Sequence, residues 1–65
     1  MIIDNSKTFL HTFFFGNNEY SADAIDKKVN PIVVQFCINE RMIEIIHRNG
    51  TRLYRILPRG KEAIK

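Results

Sequence analysis

Seven of the ten lysine and arginine residues fall between Arg41 and Lys65, where only Glu44 and Glu62 oppose them. From Met1 to Glu40 the balance reverses, with Lys7, Lys27 and Lys28 against Asp4, Glu19, Asp23, Asp26 and Glu40. Clustered cations attract a polyanion by displacing its counterions. The asymmetry therefore points to a polyanionic partner, or else to a surface that is simply basic and well solvated. Within the basic half, His47, Arg48 and Arg52 crowd around Asn49-Gly50, which makes that short stretch the most cationic feature of the chain.

Other chemistry is poorly served. There is no glycine-rich phosphate loop, no metal-ligand spacing and no nucleophile paired with a base, so an enzyme is not expected. Cys37, His11 and His47 are too few and too scattered for a zinc site, and no cofactor is implied. His11 reads as a surface or half-buried histidine without a partner. Cys37 reads as a small core hydrophobe. One cysteine precludes an internal disulfide and suits a reducing, cytoplasmic setting. No apolar run approaches the roughly 20 residues of a membrane span. Met1-Ile2-Ile3-Asp4 does not have the layout of a signal peptide.

Asn49-Gly50 is also the main structural signal. A two-residue hairpin turn of type I′ needs φ > 0 at both central positions, and Asn-Gly supplies it. The turn sets a register: Arg48 faces Thr51, His47 faces Arg52, Ile46 faces Leu53, Ile45 faces Tyr54, Glu44 faces Arg55, and Ile43 faces Ile56. One face then holds Ile43/Ile56 and Ile45/Tyr54, suited to a core, and the other holds the ion pair Glu44/Arg55. The product is a ribbon over residues 42–57 with an apolar root and a cationic tip.

Three helices precede it. The first spans Ser6 to Phe15, capped by Asp4, Asn5 or Ser6, with Phe9, Leu10, Phe13 and Phe14 on one side and Gly16-Asn17-Asn18 ending it. Glu19-Tyr20 is a short extended link. Ser21 caps a second helix, Ala22 to Val29, whose buried stripe is Ala22, Ile25 and Val29. Asn30-Pro31 starts a third, running to about Arg41, because asparagine caps well and proline fits the first helical position. Val34, Cys37 and Ile38 form its inward face, and Ile32, Val33 and Phe36 add further apolar surface. Pro58-Arg59-Gly60 closes the ribbon, and Lys61 to Lys65 is a frayed tail or one helical turn. With 65 residues the chain reads as one small domain, 1–65.

The order helix, link, helix, tight corner, helix, hairpin resembles a winged helix-turn-helix domain. Tyr54-Arg55-Ile56-Leu57-Pro58-Arg59-Gly60 is similar to the Tyr-x-Leu-Thr-Pro-x-Gly segment that closes the wing of MarR-like and PadR-like regulators. Cys37 to Ile43 stands where their recognition helix ends in Gly-Leu-Ile, and Ser21-Ala22-Asp23-Ala24-Ile25 looks like the start of their second helix. The resemblance covers about residues 20 to 60. Arg41 stands where the family has glycine, which implies a different turn, and Leu57 stands for threonine. The resemblance implies an α+β fold, a three-helix winged helix-turn-helix with a C-terminal two-stranded β-hairpin wing.

It also implies a mechanism. The helix at 30–41 would enter the major groove of double-stranded DNA while the basic hairpin lies on backbone. His47, Arg48 and Arg52 would be wing contacts, Lys27 and Lys28 would meet phosphates, and Gln35 and Asn39 would read adenine edges. Pro31, Ile32 and Phe36 share that groove face, which lacks a cation before Arg41. The implied role is a small transcriptional regulator, or a control protein of a phage or plasmid. A homodimer is expected, because one small domain covers only a half-site, and the aromatic first helix could supply its contact. The alternative is a protein-binding adaptor or inhibitor docking through Ile32 and Phe36. Burial of those two side chains against the first helix would favour DNA, and exposure would favour protein.

Overall fold

Asn49 and Gly50 both take positive φ, 55° and 79°, and the ribbon they close has the register expected from the turn, Ile43 to Arg48 against Thr51 to Ile56. The computed structural model describes residues 2–65. Its elements are α1 (Ser6–Phe14), β1 (Glu19–Ser21), α2 (Ala22–Lys28), α3 (Pro31–Asn39), β2 (Ile43–Arg48), β3 (Thr51–Ile56) and α4 (Pro58–Ala63). The fold is α+β. The described residues form four helices and a three-stranded antiparallel sheet in the order β1-β3-β2.

The expected three helices and two-stranded ribbon gain one strand and one helix. The Glu19-Tyr20 link is a strand, paired with β3 as Glu19 with Arg55, Tyr20 with Tyr54 and Ser21 with Leu53. A stretch of three residues shows no alternation of its own, so only its partner makes it a strand. The tail after the ribbon is a fourth helix, opened by Pro58 at its first position. Gly60 lies in that helix, buried against the start of β2. A Cβ there would overlap the Met42 carbonyl oxygen and lie 2.8 Å from Ile56 Cγ1. Glycine is what allows this approach.

The helix caps follow local sequence. Asn5 Oδ1 accepts from Thr8 N–H at 3.1 Å, Ser21 Oγ from Ala24 N–H at 3.5 Å and Asn30 Oδ1 from Ile32 N–H at 2.9 Å. Each satisfies a donor that the first turn leaves unpaired. The α2–α3 corner consists of Val29 and Asn30 alone. It is clamped by the N-terminal segment, where Ile3 donates to Lys28 O at 2.8 Å and accepts from Asn30 N–H at 2.7 Å. After α3 the chain reverses through Arg41, φ 60°. Met42 N–H reaches Cys37 O at 2.8 Å and Arg41 N–H reaches Ile38 O at 3.1 Å, the pairings of a left-handed C-cap. Arg41 therefore adopts the backbone that glycine would, contrary to the different turn expected, and the arginine Cβ makes this cost about 1 kcal/mol.

The core unites Phe9, Leu10, Phe13 and Phe14 of α1 with Ala22, Ile25, Val29, Val33, Val34, Cys37, Ile43, Tyr54 and Ile56. Val33 is buried while Ile38 is only half-buried, so α3 turns slightly further toward α1 than its apolar pattern suggested. Ile45 was expected inside with Tyr54 but is 42% exposed, because β2 is the sheet edge and an open groove lies between it and α3. The aromatic residues of α1 are spent on this core, Phe15 excepted. Of the phenylalanines expected in the first helix, only Phe15 stays exposed, at 68%, for the dimer contact expected there.

Burial pushes the Cys37 thiol up from 9.0 to about 11, since its thiolate would lose hydration in the core. Tyr54 is raised too, first by burial and then by its hydrogen bond to Asp26. In both cases the folded state prefers the protonated form. Their stabilising contribution is intact below the unfolded-state values and is lost as pH rises, for Cys37 between about 9 and 11. Thermal melts by circular dichroism should fall steeply over that window. Cys37→Ala should flatten the fall relative to the parent. An equally steep fall in the variant would clear the thiol of responsibility.

Candidate functional site

Strand alternation sorts the ribbon into two faces. Ile43, Ile45 and His47, with Ile56, Tyr54 and Arg52 opposite, share the face that carries the buried residues and so looks toward the helices. Glu44, Ile46 and Arg48, with Arg55, Leu53 and Thr51, share the outer face. The three expected wing contacts are thereby divided. His47 and Arg52 stand on the α3 side, and Arg48 stands on the outer side.

Neither arginine is free. Arg48 Nη2 meets Glu19 Oε2 at 3.0 Å, and its Nη1 bonds Glu19 Oε1, so the guanidinium grips the carboxylate with both nitrogens. Arg52 Nη2 bonds Asp26 Oδ2 at 3.0 Å and stands 3.9 Å from Asp23 Oδ1. Asp26 also accepts from the Tyr54 hydroxyl at 3.1 Å, which satisfies the one polar atom of that buried ring. Arg55 pairs with Glu44 and Arg59 with Glu40. The Glu44–Arg55 pair follows from the register. The others join residues 19 to 29 positions apart, and no local pattern announces them.

A different set of cations has no carboxylate partner among the described residues: Lys7, Lys27, Lys28, Arg41 and Lys61. Lys27 and Lys28 sit exposed in the last turn of α2, just ahead of α3, and Arg41 sits exposed just after it. Both ends of α3 thus carry uncompensated positive charge. Arg41 was not singled out from sequence, where it counted as a missing glycine.

The outward face of α3 presents Ile32, Gln35, Phe36 and Asn39. Gln35 Nε2 donates to Asn39 Oδ1 at 2.9 Å, one turn along. The linked amides still offer Gln35 Oε1 as acceptor and Asn39 Nδ2 as donor, the complement that an adenine edge takes. Ile32 is 76% exposed and Phe36 48%, so neither is buried against α1. Between α3 and the ribbon lies a shallow groove of about 400 Å³, floored by Val34, Ile38 and Ile45 and bounded by Gln35 and Arg52. No group of three metal-ligating side chains occurs among the described residues, and none of their helices is long and apolar enough to cross a membrane. Comparison with protein families, characterised proteins and solved structures finds no match to this chain.

Proposed function

We propose that the chain is a winged helix-turn-helix protein that binds double-stranded DNA through α3 and the β2–β3 ribbon, as a small regulator of transcription or of a mobile element. The observation that carries this reading is the charge arrangement around α3. Lys27 and Lys28 stand before it, Arg41 after it, and Arg52 across the groove beside it. Phosphates flanking a groove lie along both ends of an inserted helix, so cations there hold the backbone while the helix face meets bases. Gln35 and Asn39 supply polar groups, and Ile32 and Phe36 can pack on thymine methyls. The sheet order β1-β3-β2 and the two-residue corner between α2 and α3 agree with the winged arrangement.

The exposure of Ile32 and Phe36 favours a second reading, a protein-binding winged helix that docks through that apolar pair. The two are separated by fluorescence anisotropy on random-sequence duplex DNA at about 50 and about 200 mM salt, a range over which phosphate contacts weaken sharply. The DNA reading expects binding that falls with salt and a modest further fall in the Arg48→Ala, Arg52→Ala variant. Absence of binding at the lower salt would overturn it and leave the protein-docking reading.

A further inference from the structure

β2 is an edge strand, and its outer edge is bare. In a hairpin closed by two residues, the closing pair Arg48–Thr51 is hydrogen-bonded. Glu44, Ile46 and Arg48 therefore direct their backbone groups into β3, and Ile43, Ile45 and His47 direct theirs outward. Among the described residues, no backbone hydrogen bond from another element reaches those three. An edge is normally protected by brevity, proline, charged side chains or a bulge, and the charges on β2, Glu44 and Arg48, are held by Arg55 and Glu19 within the chain. The other edge, β1, has three residues, but β2 runs six without proline, glycine or lysine and keeps unbroken register with β3. The space beside it is an open groove of about 420 Å³ whose lining combines the apolar Ile38, Ile43, Ile45 and Leu57 with the charged Arg41 and Glu44.

We propose that this edge pairs with the β2 edge of a second copy of the chain, antiparallel about a two-fold axis at Ile46. Residues facing each other across such an axis share a sheet face, so each candidate register centres on one residue. Centring on Ile45 would set Glu44 against Ile46 of the second copy. Centring on Ile46 sets Ile46 against itself and Glu44 against Arg48 of the second copy, twice by symmetry. These are the closer, non-hydrogen-bonded pairs, while Ile45 and His47 exchange the backbone bonds. The outer face already carries Arg55 on Glu44 and Arg48 on Glu19. Arg48 reaches across β3 to Glu19 of β1, away from the outer edge, so at this register it turns back from Glu19 to meet Glu44 of the second copy. Dimerisation also covers Ile45, which the monomer leaves 42% exposed. This inference stands on the sheet edge and does not depend on DNA binding.

Sedimentation equilibrium across a concentration series, without nucleic acid, tests it. The parent should dimerise. Glu44→Arg and Arg48→Glu should each weaken the dimer by about tenfold, since each turns two attractive cross-strand pairs repulsive. The double exchange Glu44→Arg, Arg48→Glu should restore it. Ile45→Pro removes an outward donor that the hairpin does not use, and should give a monomer with an unchanged circular dichroism spectrum. A monomeric parent would overturn the proposal, as would single variants that dimerise normally or a double exchange that fails to rescue. Loss of the dimer in Ile32→Ser, Phe36→Ser with β2 intact would place the contact on α3 and overturn it too.

Discussion

Gly60→Ala is expected to destabilise the domain by about 3 kcal/mol, the upper part of the range for overpacking a closed core. The added Cβ would run into the Met42 carbonyl oxygen and into Ile56 Cγ1. The first obstacle is backbone and is held in place, because Met42 O accepts from Leu57 N–H at 2.8 Å. A rotamer change cannot relieve it, so α4 must lift away from the start of β2. Helix propensity works the other way, since alanine exceeds glycine by about 1 kcal/mol in a helix interior. A domain of this size has about 3–10 kcal/mol in total, so the loss is a large share. Urea denaturation followed by circular dichroism should show a much lower midpoint for Gly60→Ala and almost no change for Lys61→Ala, the exposed neighbour in the same helix. Equal midpoints would show that α4 contributes little to the fold.

The larger functional effect is expected from the unpaired cations. In the triple variant Lys27→Ala, Lys28→Ala, Arg41→Gly, the slope of log affinity against log salt should fall by about 2.7, near 0.9 for each phosphate no longer neutralised. Between 50 and 200 mM salt that slope corresponds to roughly a fortyfold affinity difference. Glycine is chosen at 41 because the backbone there has φ 60°, so the substitution removes the charge and relieves strain together. Arg48→Ala, Arg52→Ala should have a smaller effect. Each of those arginines already has a carboxylate partner, Glu19 or Asp26, which a phosphate must displace. Exposed pairs of this kind are worth only about 0–1 kcal/mol, so displacement is feasible but not free. Anisotropy titrations at several salt concentrations distinguish the two variants. A greater effect in the Arg48, Arg52 variant would move the phosphate contacts from the ends of α3 to the ribbon tip.

The local features of this chain were determined by sequence alone. Asn49-Gly50 fixes the hairpin and its register because few dipeptides tolerate two positive φ values. Ser21 and Asn30-Pro31 start two helices because a side-chain oxygen or a missing donor suits a first turn, while Asp4, Asn5 and Ser6 stood as alternatives for the cap that Asn5 supplies. The core stripe of α1 and α2 follows from helical spacing. Each is decided by residues within a few positions of one another. What only the tertiary structure decided involves distant parts of the chain. Three residues at Glu19 become a strand because β3 offers an edge, and Arg41 takes a glycine conformation because Met42 must reach back to Cys37. Above all, the charge pattern of the ribbon reads as a cationic tip in sequence. Folding brings Glu19 to Arg48 and Asp26 to Arg52, and leaves the free charge at the two ends of α3. Attraction between ions depends on distance in space, which one-dimensional spacing does not encode beyond a helical turn or a hairpin.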